Sequence, residues 1–310
     1  MIPMQFTLTD IKHAPLEELL CESERVRKAT FGNKIDLCAI VNIKSGRCAM
    51  NCRFCAQSVH YSTQTEVYPL RGTKELGEAT RMLWKQGISR VGWVASGCGP
   101  TKSELNAIIE SAEQVLNDSP VGLLCCASLG QLDSGSLLRL KQAGFKRYHH
   151  NLETSEQFYP QICTTQQWRD RLATLERAKE LSWKVCSGGL FGLGETWNDR
   201  FQLALVLQTL QVDSIPLNFY NAIPGTPFAN YEPLYFEEAL RIIILFRLTL
   251  PNAAIRICGG RPKIFAESSH MLFRAGADAL MTGNYLTTTG ISPEQDRKII
   301  HENGLQTINS

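Results

Sequence analysis

The chain has 310 residues, of which 44% are hydrophobic, so it can bury the core of one large domain or of two medium ones. Its 32 Lys and Arg residues nearly balance its 30 Asp and Glu residues, which gives no electrostatic reason to expect nucleic acid or an acidic membrane surface as a partner. No apolar run approaches the about 18 residues of a membrane span, and the first residues lack the basic flank and apolar run of a signal peptide.

The 11 cysteines, in a chain with no recognisable export signal, favour reduced thiols over disulfides. The sequence therefore predicts a cytoplasmic protein that uses cysteines for metal binding or catalysis.

Residues 15–30 carry apolar side chains among charged ones and predict an N-terminal amphipathic capping helix. After it, short apolar runs alternate with helical patterns. The candidate strands are 36–43, 89–96, 120–126, 147–152, 183–190, 214–219, 253–258 and 278–283. The candidate helices are about 74–87, 103–117, 133–144, 168–181, 197–211, 235–249 and 264–275.

Eight strands separated by helices predict an α/β fold, a (β/α)8 TIM-type barrel with the N-terminal capping helix. Without a Ser/Gly linker or a shift in composition, residues 1–310 are expected to form one domain. An open doubly wound sheet is the alternative, because periodicity does not show closure. In a barrel, the loops that follow the strands carry the chemistry.

One such loop follows the first candidate strand and contains Cys48, Cys52 and Cys55, with the spacing Cys-x3-Cys-x2-Cys. Three thiolates in a short loop can face one point, and thiolates favour zinc, copper(I) and iron–sulfur clusters. A structural zinc site normally has four protein ligands, and His60 is a candidate for the fourth. A four-iron cluster held by three cysteines instead has one iron open to a cosubstrate.

The run NIKSGRCAMNCRFCAQS, residues 42–58, resembles the biotin synthases of the radical S-adenosylmethionine superfamily, and the similarity continues to the end of the chain. The resemblance implies a closed barrel with a [4Fe–4S] cluster on the three loop cysteines and S-adenosylmethionine as cosubstrate. The implied reaction inserts sulfur into dethiobiotin through a 5′-deoxyadenosyl radical. The resemblance also implies an electron donor such as flavodoxin or ferredoxin, a homodimer, and no nucleic-acid or membrane partner.

Three further cysteines, Cys126, Cys186 and Cys258, lie in the third, fifth and seventh candidate strands. Each alone is typical of a small buried apolar residue, but together they could converge on the interior of one barrel. Arg256 precedes Cys258 by two residues, so both side chains face the same side of their strand. A buried arginine needs an anionic partner, and a sulfide-rich cluster could be that partner.

Biotin synthases hold a second, auxiliary iron–sulfur cluster with three cysteines and one arginine, and this cluster is thought to supply the sulfur. The first two of these strand cysteines and Arg256 match three of the four ligands. The fourth ligand falls at Gly92, which has no side chain. We expect Cys258 to complete the site, with Cys98 and Cys125 as the other candidates, and the cluster type stays open.

The same resemblance assigns polar residues to the two small molecules. In the fourth strand, the side chains of residues 149, 151 and 153 share one face, and a glycine-rich run, 187–195, follows the fifth strand. His149 replaces an asparagine of the family pattern. The implied S-adenosylmethionine contacts are Phe54, Arg171, Gly188, Glu195 and Glu153, and the implied dethiobiotin contacts are Asn151, Asn218 and His149.

Two other functions fit parts of the sequence. A biotin-synthase-like radical enzyme of the maturase or methylornithine-mutase type would act on another small substrate, but it would not need the strand cysteines and Arg256 as a set. A structural or regulatory zinc- or iron-binding protein would need only the loop cysteines.

Overall fold

A computed structural model describes residues 6–308 of the chain. The α-helices are α1 (Leu8–His13), α2 (Leu16–Phe31), α3 (Thr73–Lys85), α4 (Lys102–Asn117), α5 (Ser134–Gln142), α6 (Trp168–Glu180), α7 (Trp197–Thr209), α8 (Phe236–Thr249), α9 (Arg261–Ile264), α10 (Met271–Arg274) and α11 (Pro293–Glu302). The strands are β1 (Lys34–Lys44), β2 (Arg90–Ala95), β3 (Leu124–Ser128), β4 (Arg147–His149), β5 (Lys184–Cys186), β6 (Gly189–Phe191), β7 (Ser214–Phe219), β8 (Ala254–Ile257), β9 (Ala279–Met281) and β10 (Gln306–Thr307).

The strands form a closed parallel barrel. They follow one another around the sheet in chain order, and β9 pairs with β1 to complete the circle. The fifth of the eight strand positions is shared by β5 and β6, while β10 pairs with the first residues of β1. The predicted (β/α)8 barrel is therefore confirmed, and the open-sheet alternative is wrong.

The fifth predicted strand, 183–190, is interrupted at Gly188. A Cβ atom on Gly188 would lie 2.0 Å from the carbonyl oxygen of Pro216 in β7, so only glycine allows this close backbone approach. The interruption separates β5 from β6, and the backbone N–H groups of Leu152 and Glu153 both donate to the carbonyl oxygen of Gly188, at 3.1 Å each. The loop after β4 is thereby tied to the break in the fifth strand.

Most of the predicted helices are present, and several begin with reciprocal side-chain caps. Thr101 and Glu104 form such a capping box at α4, as Thr196 and Asp199 do at α7. The predicted helix 264–275 is wrong as a continuous element. It is divided into α9, a short 3-10 turn and α10, because Ala266 has a φ of +28°, outside the α-helical region.

The N-terminal helix α2 packs against α8 and α10, with Leu19 and Leu20 in the core. Its buried Arg27 donates from Nε to the carbonyl oxygen of Phe273, 3.0 Å away, in the segment that leads into β9. The helix therefore lies toward the amino ends of the barrel strands, as the predicted capping helix should. Within residues 6–308, the helices are too short or too polar to cross a membrane.

Candidate active site

A cavity of about 420 Å³ lies inside the barrel and extends to the loops at the carboxyl ends of the strands. All 11 cysteines are free thiols. Eight of them line this cavity: Cys38, Cys48, Cys52, Cys55, Cys98, Cys126, Cys186 and Cys258. The chemistry that the sequence assigned to thiols is therefore concentrated in one cavity.

The three loop cysteines lie at the carboxyl end of β1. The backbone folds the loop back on itself, because Cys48 N–H donates to the carbonyl oxygen of Gln57 at 2.9 Å and Cys55 N–H to that of Cys52 at 3.0 Å. The Gln57 side chain fixes the start of the loop by accepting from Gly46 N–H at 3.0 Å. Burial raises the pKa of the Cys55 thiol to about 11. A bound cation would have to stabilise the thiolate form of this residue.

The geometry does not support the zinc site with His60. The Nε2 atom of His60 lies 3.0 Å from the carbonyl oxygen of Ala49 and hydrogen-bonds to it. Among the described residues, no three His, Cys, Asp or Glu side chains are close enough together to hold a single metal ion.

Arg171 extends from α6 into the cavity wall, where its guanidinium group has three partners. Its Nε donates to the carbonyl oxygen of Asn151 at 2.6 Å, one terminal nitrogen to Gln166 Oε1 at 3.0 Å, and the other to Glu153 Oε1 at 3.3 Å. Burial raises the pKa of the Glu153 carboxyl group, and the positive charge of Arg171 opposes that rise. Arg171 and Glu153 therefore form a charged pair at the mouth of the cavity, beside the loop cysteines.

Asn151 and His149 reach the cavity from β4 and the residues that follow it. The Oδ1 atom of Asn151 accepts from Gly188 N–H at 3.2 Å, and its amide nitrogen faces Glu153 Oε2 at 3.4 Å. His149 lies opposite Cys186 in the register of β4 and β5, and its side chain interacts with the Cys186 thiol. These polar groups stand between the loop cysteines and the strand cysteines.

The other predicted small-molecule contacts divide into two groups. Phe54 and Asn218 line the cavity, and Asn218 Oδ1 accepts from Gly259 N–H at 3.0 Å. Gly188 and Glu195 do not line it. The buried carboxylate of Glu195 accepts from Leu193 N–H at 2.8 Å and from Arg200 Nε at 2.8 Å, so it holds the glycine-rich loop in shape.

The strand cysteines Cys126, Cys186 and Cys258 face the inner end of the cavity, as predicted. Each of these side chains is buried, with at most 7% of its surface exposed. Cys126 lies opposite Gly92 in the register of β2 and β3, so the side chain that is absent from Gly92 would have pointed into this group. A fourth thiol, Cys38 of β1, interacts electrostatically with Cys126, Cys186 and Cys258.

Arg256 is buried beside these thiols and forms an ion pair with Asp36 of β1. Asp36 also accepts from Arg90 Nε at 2.9 Å. Burial raises the pKa of the Asp36 carboxyl group, but the charges of Arg256 and Arg90 outweigh this effect and lower it. Asp36 therefore supplies part of the negative charge that a buried Arg256 was expected to need.

Arg147 adds a third guanidinium group at this end of the cavity. Its Nε atom is buried and has no hydrogen-bond partner among residues 6–308. Burial would raise the pKa of the Cys186 thiol, but the charges of His149, Arg147 and Arg256 lower it to about 6. Arg90, Arg147 and Arg256 all line the cavity, and Asp36 pairs with two of them, Arg90 and Arg256. The resulting excess of positive charge favours thiolates and other anions there.

The other two candidates for the fourth ligand, Cys98 and Cys125, lie elsewhere. Cys98 is on the cavity wall, where its sulfur contacts Gln131 Oε1 at 3.5 Å and Gln166 Nε2 at 3.7 Å, on the side of the loop cysteines. Cys125 packs in the hydrophobic core and does not line the cavity. Neither is placed to complete the group of strand thiols.

The sequence reasoning missed Cys38 and Asp36. Both stand in the apolar run of the first strand, two residues apart, so they share one face. The signal was the alternation Asp36–Leu37–Cys38, which repeats the Arg256–Ile257–Cys258 pattern of β8. Reading the first strand with period two would have placed both residues inside the barrel.

Comparisons with known proteins agree with this geometry. The pattern of the radical SAM superfamily matches residues 42–207, and that of the Biotin and Thiamin Synthesis associated domain matches residues 216–306. The chain is 47% identical to a biotin synthase of Thermodesulfovibrio yellowstonii, over 93% of this chain and 90% of that one. It is 45% identical to a biotin synthase of Desulfovibrio desulfuricans, over 94% and 92%.

Among solved structures, methylornithine synthase PylB superposes with a TM-score of 0.84, covering 98% of this chain and 94% of that one. The two sequences are 21% identical, so this likeness shows the shared barrel fold alone.

Proposed function

The chain belongs to the biotin synthase family of the radical SAM superfamily, and we infer from this that it converts dethiobiotin to biotin with S-adenosylmethionine as cosubstrate. It is accordingly a sulfurtransferase. The observation that carries this function is the 47% identity to a biotin synthase over nearly the whole chain. The cavity agrees with it, because the loop thiols and the strand thiols line one and the same cavity.

We propose that Cys48, Cys52 and Cys55 hold the [4Fe–4S] cluster of the family. Thiolates are the usual protein ligands of such clusters, and all three residues line the cavity. When bound, this cluster supplies the electron that cleaves S-adenosylmethionine into methionine and a 5′-deoxyadenosyl radical. The chain's own part is to bind, orient and enclose the reactants.

Arg171, Glu153 and Phe54 lie on the cavity wall near the loop cysteines, which supports their assignment to S-adenosylmethionine. A charged pair can match the amino and carboxylate groups of a bound amino acid. Gly188 and Glu195 are proposed to contribute indirectly, because they shape the loops behind this wall. Their direct contact with the cosubstrate stays a prediction.

Asn151, Asn218 and His149 are proposed to contact dethiobiotin, because all three line the cavity that both groups of thiols also line. Replacing Asn151 with alanine removes an amide from a buried polar wall. We expect dethiobiotin binding to weaken by about 1–3 kcal/mol, or roughly 5- to 150-fold in Kd.

Calorimetric titration of Asn151→Ala with dethiobiotin measures this loss. Asn106→Ala is the control, because Asn106 is a half-buried residue of α4 that does not line the cavity. Asn151 also accepts from Gly188 N–H, so the thermal unfolding midpoint of both variants must be measured alongside. An unchanged Kd in a folded Asn151→Ala protein would remove this residue from the substrate site.

For the auxiliary iron–sulfur cluster, we propose Cys126, Cys186 and Cys258 as ligands, with Cys38 as a fourth thiolate. The four thiols face the same end of the cavity and interact electrostatically with one another. The excess of arginine charge around them supports an anionic occupant. When bound, such a cluster supplies the sulfur of the product.

Arg256 matches the arginine ligand of the family pattern, and we retain it at this site. Its ion pair with Asp36 and its hydrogen bond to the carbonyl oxygen of Leu280, at 3.1 Å, occupy much of its donor capacity. With four thiols available, balancing the charge of the cluster is the role that this geometry favours for Arg256.

We further propose one domain, residues 1–310, whose ends lie outside the described residues. The two family patterns fall on one closed barrel, which supports this proposal. A one-electron donor such as flavodoxin or ferredoxin, a homodimeric state and a cytoplasmic location follow from the family resemblance.

The test is an anaerobic assay of the reconstituted chain with dethiobiotin, S-adenosylmethionine and a reductant. We expect biotin and 5′-deoxyadenosine to form together, and both to require S-adenosylmethionine. Mass spectrometry measures both products. Formation of 5′-deoxyadenosine without any response to dethiobiotin would point to another substrate and overturn the assignment.

A further inference from the structure

Cys163 is a buried thiol that has no part in either proposed cluster. It follows a 3-10 turn, Tyr159–Gln161, and does not line the cavity. The Cys163 side chain interacts with that of Cys52, and Thr165 Oγ1 lies 3.8 Å from the Cys163 sulfur. A fourth thiol is thus a neighbour of one of the three proposed ligands of the radical cluster.

A set of hydrogen bonds holds Cys163 against the cysteine loop. Asn51 donates from its side chain to Thr164 Oγ1 at 2.7 Å and accepts from Thr164 N–H at 2.9 Å. Its backbone N–H donates to Thr165 Oγ1 at 2.9 Å. On the other side of Cys163, Arg53 N–H donates to the carbonyl oxygen of Ile162 at 2.8 Å. The residues before and after Cys52 are therefore hydrogen-bonded to the residues before and after Cys163, and we call this set of bonds the clamp.

This clamp favours Cys163 over the nearer cysteine in sequence. Cys55 is only three residues from Cys52, but the hydrogen bonds on both sides of Cys52 run to the residues on both sides of Cys163. Two neighbouring cysteines on segments that are hydrogen-bonded to each other in this way can reach disulfide geometry with little movement of the backbone.

We propose that in the cluster-free chain Cys52 and Cys163 form a reversible disulfide, which withholds Cys52 from iron until the disulfide is reduced. The proposal rests on the assignment of Cys52 as a ligand of the radical cluster. It concerns the loading of that cluster and not the reaction with dethiobiotin.

The oxidant in this reaction is a low-molecular-weight disulfide such as oxidised glutathione. Cys52 reacts first because it is partly exposed while Cys163 is buried. The Cys52 thiol gives up its proton to solvent, attacks one sulfur of the oxidant, forms a mixed disulfide and releases one glutathione thiolate, which takes up a proton. The Cys163 thiolate then attacks the Cys52 sulfur and releases the second glutathione. The two protein thiols lose two electrons and two protons, and the oxidant takes up both as two glutathione thiols.

The disulfide protects the Cys52 sulfur from oxidation while no iron is bound to it. A cysteine that has lost its iron can be oxidised beyond the sulfenic state to sulfinic acid, which is in general irreversible. Pairing with Cys163 stops this oxidation at a state that a thiol reductant can reverse. In the loaded protein, the iron occupies Cys52 and leaves Cys163 as a reduced, buried neighbour.

The experiment uses the full-length, cluster-free chain, treated with oxidised glutathione under nitrogen, alkylated and mapped by mass spectrometry. We expect a Cys52–Cys163 cross-linked peptide, and incorporation of iron and sulfide only after dithiothreitol is added. In Cys163→Ser, Cys52 should retain a glutathione adduct. Asn51→Ala, which loses the clamp, should form the cross-link several-fold more slowly.

The control variant is Cys21→Ser, which removes an exposed thiol of α2 and should leave the cross-link unchanged. A wild-type map in which Cys163 is alkylated while Cys52 pairs with Cys48 or Cys55 would overturn the proposal. A glutathione adduct that persists on wild-type Cys52 would do so as well. Because the map needs neither substrate, this failure is distinct from a failure of the biotin synthase assignment.

Discussion

Replacing Cys52 with alanine will abolish the cleavage of S-adenosylmethionine to 5′-deoxyadenosine. Two remaining thiolates, Cys48 and Cys55, are too few to hold a four-iron cluster that keeps one iron open. We therefore expect no 5′-deoxyadenosine at any concentration of S-adenosylmethionine, and not merely a higher KM. Anaerobic assay of 5′-deoxyadenosine, together with iron and sulfide analysis, measures both consequences.

Cys163 complicates this variant, because its sulfur is already beside the position that Cys52 leaves. The double variant Cys52→Ala/Cys163→Ser removes the substitute thiol, and Cys125→Ser is the control for loss of a buried thiol away from the cavity. If 5′-deoxyadenosine still forms at the wild-type rate in the double variant, the radical cluster is not held by this loop.

Replacing Cys258 with serine, or Cys38 with serine, will separate the two halves of the reaction. Both residues belong to the proposed auxiliary site and lie on strands at the inner end of the cavity. We expect each variant to keep the radical cluster and to cleave S-adenosylmethionine at close to the wild-type rate. Auxiliary iron and biotin formation should fall to background, as measured by iron analysis and mass spectrometry.

The matched control for these variants is Cys98→Ser, a cavity thiol on the side of the loop cysteines. It should keep the auxiliary iron. A Cys258→Ser protein with full iron content and normal biotin formation would make Cys258 a packing residue. The same result for Cys38→Ser alone would reduce the site to the three predicted cysteines and Arg256.

The barrel could be predicted because its signals are local. Each strand is a short apolar run, and each run except the fifth gives one continuous strand. The cysteine loop could be placed because it directly follows the first run. Parallel strands joined by helices then bring the ends of all strands to one side, which is why Cys55 and Arg171 are neighbours without being near in sequence.

The parts that could not be predicted depend on contacts between distant segments. The interruption at Gly188 arises from the carbonyl oxygen of Pro216, which the local sequence does not reveal. The partner of Arg256 is Asp36, 220 residues away across the closure of the barrel. Cys38 looked like a core residue because its neighbours Leu37 and Ala39 are apolar.

One strand, β1, carries parts of both proposed centres. Asp36 and Cys38 lie near its amino end, and six residues beyond Cys38, at Lys44, it passes into the cysteine loop. Those six residues span about 20 Å at a rise of about 3.3 Å each. Insertion of one residue between Cys38 and Lys44 would reverse the alternation of side chains, so that residues beyond the insertion would point to the opposite face of the strand. The length of β1 therefore sets the distance between the two proposed centres. Substitution of side chains can change either centre, whereas adding or deleting a residue in β1 would disturb their arrangement.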